Sequence, residues 1–320
     1  MYLNPLTIKN LKLGGNIFLA PMAEITDYPF RKICIKYGCD MAISEMVSAK
    51  ALCYGSKRAM DAIKVRDDRP ICLQIFGSDK NSMLNAALLC ESFGSDMIEI
   101  NAGCPVKKIT KTGAGSALLK TSSVLFDIVE LIASKIKIPL SVKIRTGFNK
   151  DDKNAIMISK NLESSGADII HLHMRTVEQE HTGEADLSFA AEVKSKIKIP
   201  LIANGGITNP LQAVECFKKT GCDAISIGRG AISNPFIFTE IKDYIKNGNA
   251  KEYSLSGRIN AFIEYLEIAS SEYGEERALI RARRLGGMWL SKFKNATDVR
   301  SQFMKMKKLD DAKKLLSSLL

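Results

Sequence analysis

The chain has few histidines, no paired-cysteine motif and no long apolar run, and each absence excludes a class of protein. Three histidines (His171, His173, His181) and eight cysteines without a C-x-x-C pair complete no zinc set, so no metal is expected. A chain of 320 residues needs no disulfide staples. Cys34, Cys39, Cys53, Cys72, Cys90, Cys216 and Cys222 therefore read as small buried hydrophobes. No stretch approaches the roughly 18 apolar residues of a membrane span, and no basic segment leads into an apolar one at the N-terminus. These absences point to the cytoplasm. No G-x-G-x-x-G follows the first apolar run, which removes the usual dinucleotide fingerprint.

Acidic side chains are also in deficit, 35 against 46 basic ones, for a net charge of +11. Residues 1–240 carry 30 basic and 25 acidic side chains, whereas residues 241–320 carry 16 and 10. The charge density of the last quarter is thus about threefold higher, which fits either a polyanion partner or a solvated helical face.

Eight short apolar runs, each followed by a helix-compatible stretch, fill the first 240 residues: 17–22, 41–45, 71–76, 97–101, 140–145, 169–173, 201–204 and 224–227. Near-continuous runs of this length are the pattern of parallel strands covered on both faces. Eight repeats in this span predict a (β/α)8 TIM barrel, usually about 250 residues, with a doubly wound open sheet as the alternative. A polar linker near Asn247-Gly248-Asn249 then leads to a smaller, all-helical C-terminal domain, so the division is 1–240 and 241–320. In that domain Ile259, Phe262, Ile263 and Leu266 follow helical spacing. A second helix from about Glu275 carries Leu279, Ala282, Gly286, Trp289 and Phe293 on one face and Arg277, Arg281 and Arg284 on the other.

Barrels place their sites at the carboxyl ends of the strands, and here every such end is polar or glycine-rich. Cys104, in Asn101-Ala102-Gly103-Cys104-Pro105, is flanked by Asn and Gly rather than by apolar neighbours, a better setting for chemistry than for core filling. Asn204-Gly205-Gly206 and Gly228-Arg229-Gly230 follow the last two strands, where barrels commonly hold a phosphate, although each glycine could simply turn the chain. Lys143 could stabilise negative charge on a reduced flavin, and Gln74 could both donate to and accept from a ring edge. Lys143 and His173 could equally be satisfied core polar residues. As a set, these residues fit bound FMN better than NAD. Glu45, Asn101, Arg145 and Arg175, also at strand ends, are candidates for binding substrate.

Ala20-Pro21-Met22-Ala23-Glu24-Ile25-Thr26-Asp27, Gln74-Ile75-Phe76-Gly77, the Asn-x-Gly-Cys-Pro segment, Gly113-Ala114-Gly115-Ser116, Lys143-Ile144-Arg145-Thr146-Gly147, His173-x-Arg-Thr176, Ala203-Asn204-Gly205 and Ile227-Gly228-Arg229-Gly230 occur in this order. Together they resemble the tRNA-dihydrouridine synthases, in particular a bacterial subgroup, from about residue 10 to about 300. The resemblance implies that Pro21, Met22, Ala23, Gln74, Lys143, Asn204, Gly205, Gly206, Gly228 and Arg229 contact FMN, with His173 near the flavin. It implies a hydride from reduced FMN to uracil C6 and a proton from Cys104 to C5, NADPH as reductant, and tRNA as partner. A helical C-terminal domain would grip that tRNA, to which Arg277, Arg281 and Arg284, with Lys292, Lys305, Lys307 and Lys308, would contribute phosphate contacts, unless they pair with Glu272, Glu275 and Glu276. No stable protein partner is implied. Two positions depart from the family pattern: Gly206, where an acid is usual, and Met174, where glycine is frequent. The rival readings are a small-molecule FMN oxidoreductase of dihydroorotate dehydrogenase type and an RNA-binding protein without turnover.

Overall fold

A computed structural model describes residues 2–251, 253–292 and 295–320; Phe293 and the side chain of Lys292 lie outside the described residues. An antiparallel hairpin, β1 (Leu6–Ile8) and β2 (Leu11–Leu13), opens the chain. The parallel strands follow as β3 (Ile17–Leu19), β4 (Met41–Ile43), β5 (Val47–Ser48), β6 (Ile71–Phe76), β7 (Met97–Asn101), β8 (Leu140–Arg145), β9 (Ile169–His173), β10 (Leu201–Asn204) and β11 (Ala224–Ile227). Strand β4 pairs with both β3 and β6, and β11 pairs with β3, so eight strands close into a barrel with helices outside. Six of the eight predicted runs match their strands; the first two strands stop earlier because Pro21 has no N–H for the ladder and the chain turns out at Glu45. The open-sheet alternative is thereby excluded. The hairpin and the two-residue strand β5 were not foreseen.

The barrel interior is layered. Phe18, Met41, Ile43, Cys72, Met97, Ile169, Ile202 and Ala224 form an apolar floor, closed from below by Ile8 and Leu13 of the hairpin. Because strand side chains alternate, the inward positions above this floor on β6, β7, β8, β9 and β11 are polar: Gln74, Glu99, Ser141, His171 and Ser226, all buried. Their neighbours Ile98, Ile100, Val142, Ile144, Ile170 and Leu172 face the helices and join the outer core.

Helix Ile237–Asn247 runs across residue 240 and ends at Gly248, whose φ of 76° stops it within the polar 247–249 segment. Ser254 then caps helix Leu255–Tyr273, and helix Glu275–Trp289 follows after Gly274. Ile259, Phe262 and Leu266 from the first and Leu279, Ala282, Gly286 and Trp289 from the second are buried as spaced, while Ile263 is half-buried. A Cβ on Gly286 would stand 2.6 Å from the Phe303 ring, so only glycine lets helix Ala296–Lys305 pack there. Trp289 stacks on Phe262 and meets Phe30 edge-on at 6.4 Å, joining the helical unit to the first barrel helix, Tyr28–Lys36. Among the described residues no helix is long and apolar enough to cross a membrane.

Candidate active site

Asn101, the last residue of β7, shapes the cysteine loop. Its side-chain oxygen accepts the N–H groups of Gly103 (3.2 Å) and Cys104 (3.0 Å), and its amide donates to Gln74 Oε1 at 2.9 Å. A Cβ on Gly115 would lie 2.7 Å from the Cys104 carbonyl oxygen, and this glycine, with φ 61°, lets the 3₁₀ turn Gly115–Leu119 press against the loop. Cys104 is half-buried; burial raises its thiol above the ordinary value, with the Val106 backbone N–H and Arg145 opposing, so the group keeps its proton at neutral pH.

Beneath the loop lies the polar layer of the barrel. Gln74 donates to Glu99 Oε1 at 2.7 Å; Glu99 Oε2 accepts from Ser141 at 2.9 Å and contacts His171 Nδ1 at 2.7 Å. Lys143 Nζ stands 3.1 Å from both His171 Nε2 and Asn204 Oδ1, and Asn204 donates to the Ser226 carbonyl at 3.0 Å. Burial lowers Lys143 to about 7 although Glu99 supports its charge, and burial beside Lys143 lowers His171 to about 4. For Glu99, burial penalises the charge, but His171, Lys143 and Ser141 outweigh it and the carboxyl sits below its ordinary value. Glu99, Ser141, His171 and Ser226 were not singled out as site residues in the sequence. The signal was present in Met-Ile-Glu-Ile-Asn and Ile-Ile-His-Leu-His, where polar side chains recur every second residue of an otherwise aliphatic strand.

Around the mouth, Gly205 has φ 122°, and a Cβ there would meet His173 Cδ2 at 3.0 Å and an Arg175 nitrogen at 3.2 Å. Gly206, one of the two departures noted in the sequence, has φ 77°, a backbone conformation that favours glycine. Met174, the other departure, is buried in the core. Arg175 Nη1 approaches His173 Nε2 at 3.4 Å, and His181 stacks on His173 at 5.7 Å, a partner the sequence did not suggest. The exposed Arg229 donates to the His181 carbonyl at 2.9 Å. Arg145 is buried and donates to the carbonyls of Gly103, Thr176 and Glu180, so in this arrangement its guanidinium braces the loops. In the turn after β3, Thr26 Oγ1 accepts from the Met22 N–H and donates to the Met22 carbonyl, which fixes the Pro21-Met22-Ala23 segment. The residues thus converge on one mouth from β3, β6, β7, β8, β9, β10 and β11. A flavin fits the donor set: Gln74 retains one N–H and a lone pair, and Lys143 one N–H. Among the described residues no group of three or more His, Cys, Asp or Glu could hold a metal.

The arginine stripe faces the barrel rim. Arg281 turns toward the barrel: its Nε donates to Asp27 Oδ2 at 2.9 Å, Nη2 donates to Glu45 Oε2 at 3.2 Å, and the guanidinium lies 4.7 Å from the Tyr273 ring centroid. Arg284 pairs with Glu24. The anticipated acidic partners lie elsewhere, since Glu272 pairs with Arg66 and Glu275 accepts the Leu309 N–H. The cause is geometric: spacings of four and three put these arginines on one helix face, and that face overlooks the rim acids Glu24, Asp27 and Glu45. Glu45 also accepts the Glu24 N–H and so links the rim to the helices. Among the described residues Arg277 has no ion pair; it lines a cavity of about 1100 Å³ between barrel and helices with Arg58, Lys64, Arg66, Tyr273 and Phe76.

A family model described as dihydrouridine synthase matches residues 18–320. The chain is 34% identical over 300 residues to the tRNA-dihydrouridine synthase B of Pseudomonas aeruginosa, covering 93% of this chain and 90% of that protein. It is 36% identical over 298 residues to the protein of the same name from Vibrio parahaemolyticus, covering 92% of each. Among solved structures, a mutant of morphinone reductase in complex with tetrahydroNAD matches with a TM-score of 0.59 at 12% identity, over 80% of this chain and 93% of that one; this likeness is one of fold.

Proposed function

The chain belongs to the dihydrouridine synthase family, and from that premise we propose that it reduces the C5=C6 bond of specific uridines in tRNA, with FMN as cofactor, NADPH as reductant and Cys104 as proton donor. The observation that carries the reading is the Asn101 clasp, which presents a protonated thiol at the mouth of a barrel lined with flavin-compatible donors. Lys143 and Gln74 would meet the ring, Pro21, Met22, Ala23 and His173 would flank it, and Asn204, Gly205, Gly206, Gly228 and Arg229 would hold the ribityl and phosphate end. Bound there, FMN supplies a hydride to uracil C6, the position conjugated through C5 to the C4 carbonyl. C5 must then gain a proton, and a thiol held above its ordinary pKa remains protonated at neutral pH to deliver it. Asn101 orients the loop that carries the thiol, and Arg145 fixes the same loop from β8.

A uridine in folded RNA must leave its stack to reach this mouth, at a cost of a few kcal/mol. The cavity beside the site is lined by paired charges, Lys64 with Asp61 and Arg66 with Glu272, and by Lys57, Arg58 and Arg277, which have no ion pair among the described residues; these three cations support a polyanion beside the site rather than a small-molecule oxidoreductase of dihydroorotate dehydrogenase type. Work on tRNA, together with eight unpaired cysteines, supports a cytoplasmic location.

The test is mass spectrometry of tRNA from cells lacking the gene and from the same cells with it restored, reading the gain of about 2 Da when a uridine is reduced, as addition of two hydrogens across C5=C6 requires. Dihydrouridine that disappears and returns with the wild-type gene but not with Cys104→Ala supports the reading, provided the variant still has its flavin reduced by NADPH. Persistence of every dihydrouridine in the deletion strain, with no second family member present, would favour the small-molecule reading.

A further inference from the structure

Lys143 is the open end of a directional hydrogen-bond relay. A carboxylate only accepts, so the 2.7 Å contact between Glu99 and His171 Nδ1 assigns the imidazole proton to Nδ1. His171 Nε2 then accepts through its one lone pair, shared between Lys143 at 3.1 Å and the Ser226 hydroxyl at 2.7 Å. Gln74 and Ser141 donate to the remaining acceptor positions of Glu99. Lys143 also donates to Asn204, which commits two of its three N–H groups and leaves one. Glu99, Ser141, His171 and Ser226 have no exposed surface.

We propose that Glu99, acting through His171, is a positioning residue that supports the charge on Lys143, with a single N–H left for the flavin, and thereby sets how readily the flavin is reduced. The inference rests on the flavin part of the reading above. Lys143 is faced by Glu99 and Asn101 from β7, Arg145 on its own strand, His171 and His173 from β9, Asn204 from β10 and, through His171, Ser226 from β11. Of these only Glu99 is negative. Burial lowers both histidines, so neither carries a compensating charge near neutral pH, and Arg145 opposes an ammonium. With Glu99 neutral, burial and Arg145 would act on Lys143 unopposed and deprotonate it. Reduction adds negative charge to the flavin, and an ammonium beside the ring favours that state.

The experiment is the reduction potential of the FMN-loaded protein from pH 6 to 9, for the wild type, Glu99→Gln and Glu99→Asp. The wild-type curve should bend near pH 7, where Lys143 loses its proton. At pH 7 and fixed poise, Glu99→Gln should show a reduced-to-oxidised ratio lower by about tenfold, or ~30 mV for a two-electron couple, with the bend moved to lower pH; Glu99→Asp should stay near the wild type. Superimposable curves for Glu99→Gln and wild type overturn the proposal, as does a shift of equal size in both variants. If Glu99→Gln does not fold, the ε-¹³C resonance of Lys143 in the wild-type holoprotein decides, assigned by its loss in Lys143→Met. Titration together with the bend in potential supports the proposal, and titration apart from it overturns it. A protein that makes dihydrouridine on bound FMN with a potential indifferent to Glu99 refutes this inference alone, whereas one that never binds flavin refutes the cofactor reading beneath it.

Discussion

Replacing Arg281 by Gln tests whether this residue joins the two parts of the molecule or reaches out to RNA. The Asp27 side chain is 3% exposed and that of Arg281 34%. Removing one partner of a buried pair costs about 3–5 kcal/mol because the other charge is left stranded. Here a third of the arginine is open to water, and Asp27 keeps the Phe30 N–H at 3.2 Å and the Tyr265 hydroxyl at 3.4 Å, so about 2 kcal/mol is expected. Burial already raises the Asp27 carboxyl, and loss of Arg281, which lowers it, raises it further. A carboxyl whose folded pKa exceeds its unfolded value destabilises above the unfolded value, so the deficit of Arg281→Gln should be larger at pH 8 than at pH 5. In urea, with a slope of about 2 kcal/mol per molar, the unfolding midpoint should fall by about 1 M. Asp27→Asn combined with Arg281→Gln should recover most of the loss, because the buried charge is then removed and the Glu45 carboxylate, 26% exposed, still reaches water. A wild-type midpoint in Arg281→Gln, accompanied by weakened tRNA binding, would refute the assignment.

Arg277→Gln should act in the opposite way: no change in stability, but a salt dependence of tRNA binding flatter by roughly one unit of slope for the lost phosphate contact. Filter binding from 50 to 200 mM salt measures it, and an unchanged slope would return Arg277 to a solvated helix face. Gly205→Ala places a Cβ against His173 and Arg175 at a φ of 122° that side chains avoid, so FMN affinity should fall about tenfold or more, for a strain of about 1–3 kcal/mol. Flavin fluorescence titration would show it, and wild-type affinity would mean that the loop after β10 does not approach the cofactor.

The three arginines show that periodicity fixes which face of a helix a stripe occupies and leaves open what that face meets. Their spacing does place them on one face, but a face has meaning only against what stands opposite, and here that is a row of acids on the barrel rim contributed by residues more than 230 positions away. The net charge of the tail is consequently a poor measure of what it offers to RNA. Two of its arginines are already paired with acids within the protein, and in the cavity Lys64 and Arg66 are likewise paired, with Asp61 and Glu272, so that among the described residues the cations there without an ion pair are Lys57 and Arg58 from the barrel beside Arg277.

From the sequence alone came the barrel strands, because aliphatic runs of four to six residues separated by helical stretches have few other ways to be buried. The cysteine loop and the paired glycine loops were legible for a related reason: backbone that must turn sharply or stay exposed at a strand end admits few residue types. The tertiary structure alone decided what the polar interior does. Glu99, Ser141, His171 and Ser226 sit on four strands, two of them more than 120 residues apart along the chain, and each looks in isolation like an odd substitution in an apolar run. Closing the barrel turns all four inward at one height, where burial removes water and makes a hydrogen bond to Lys143 decisive for its charge.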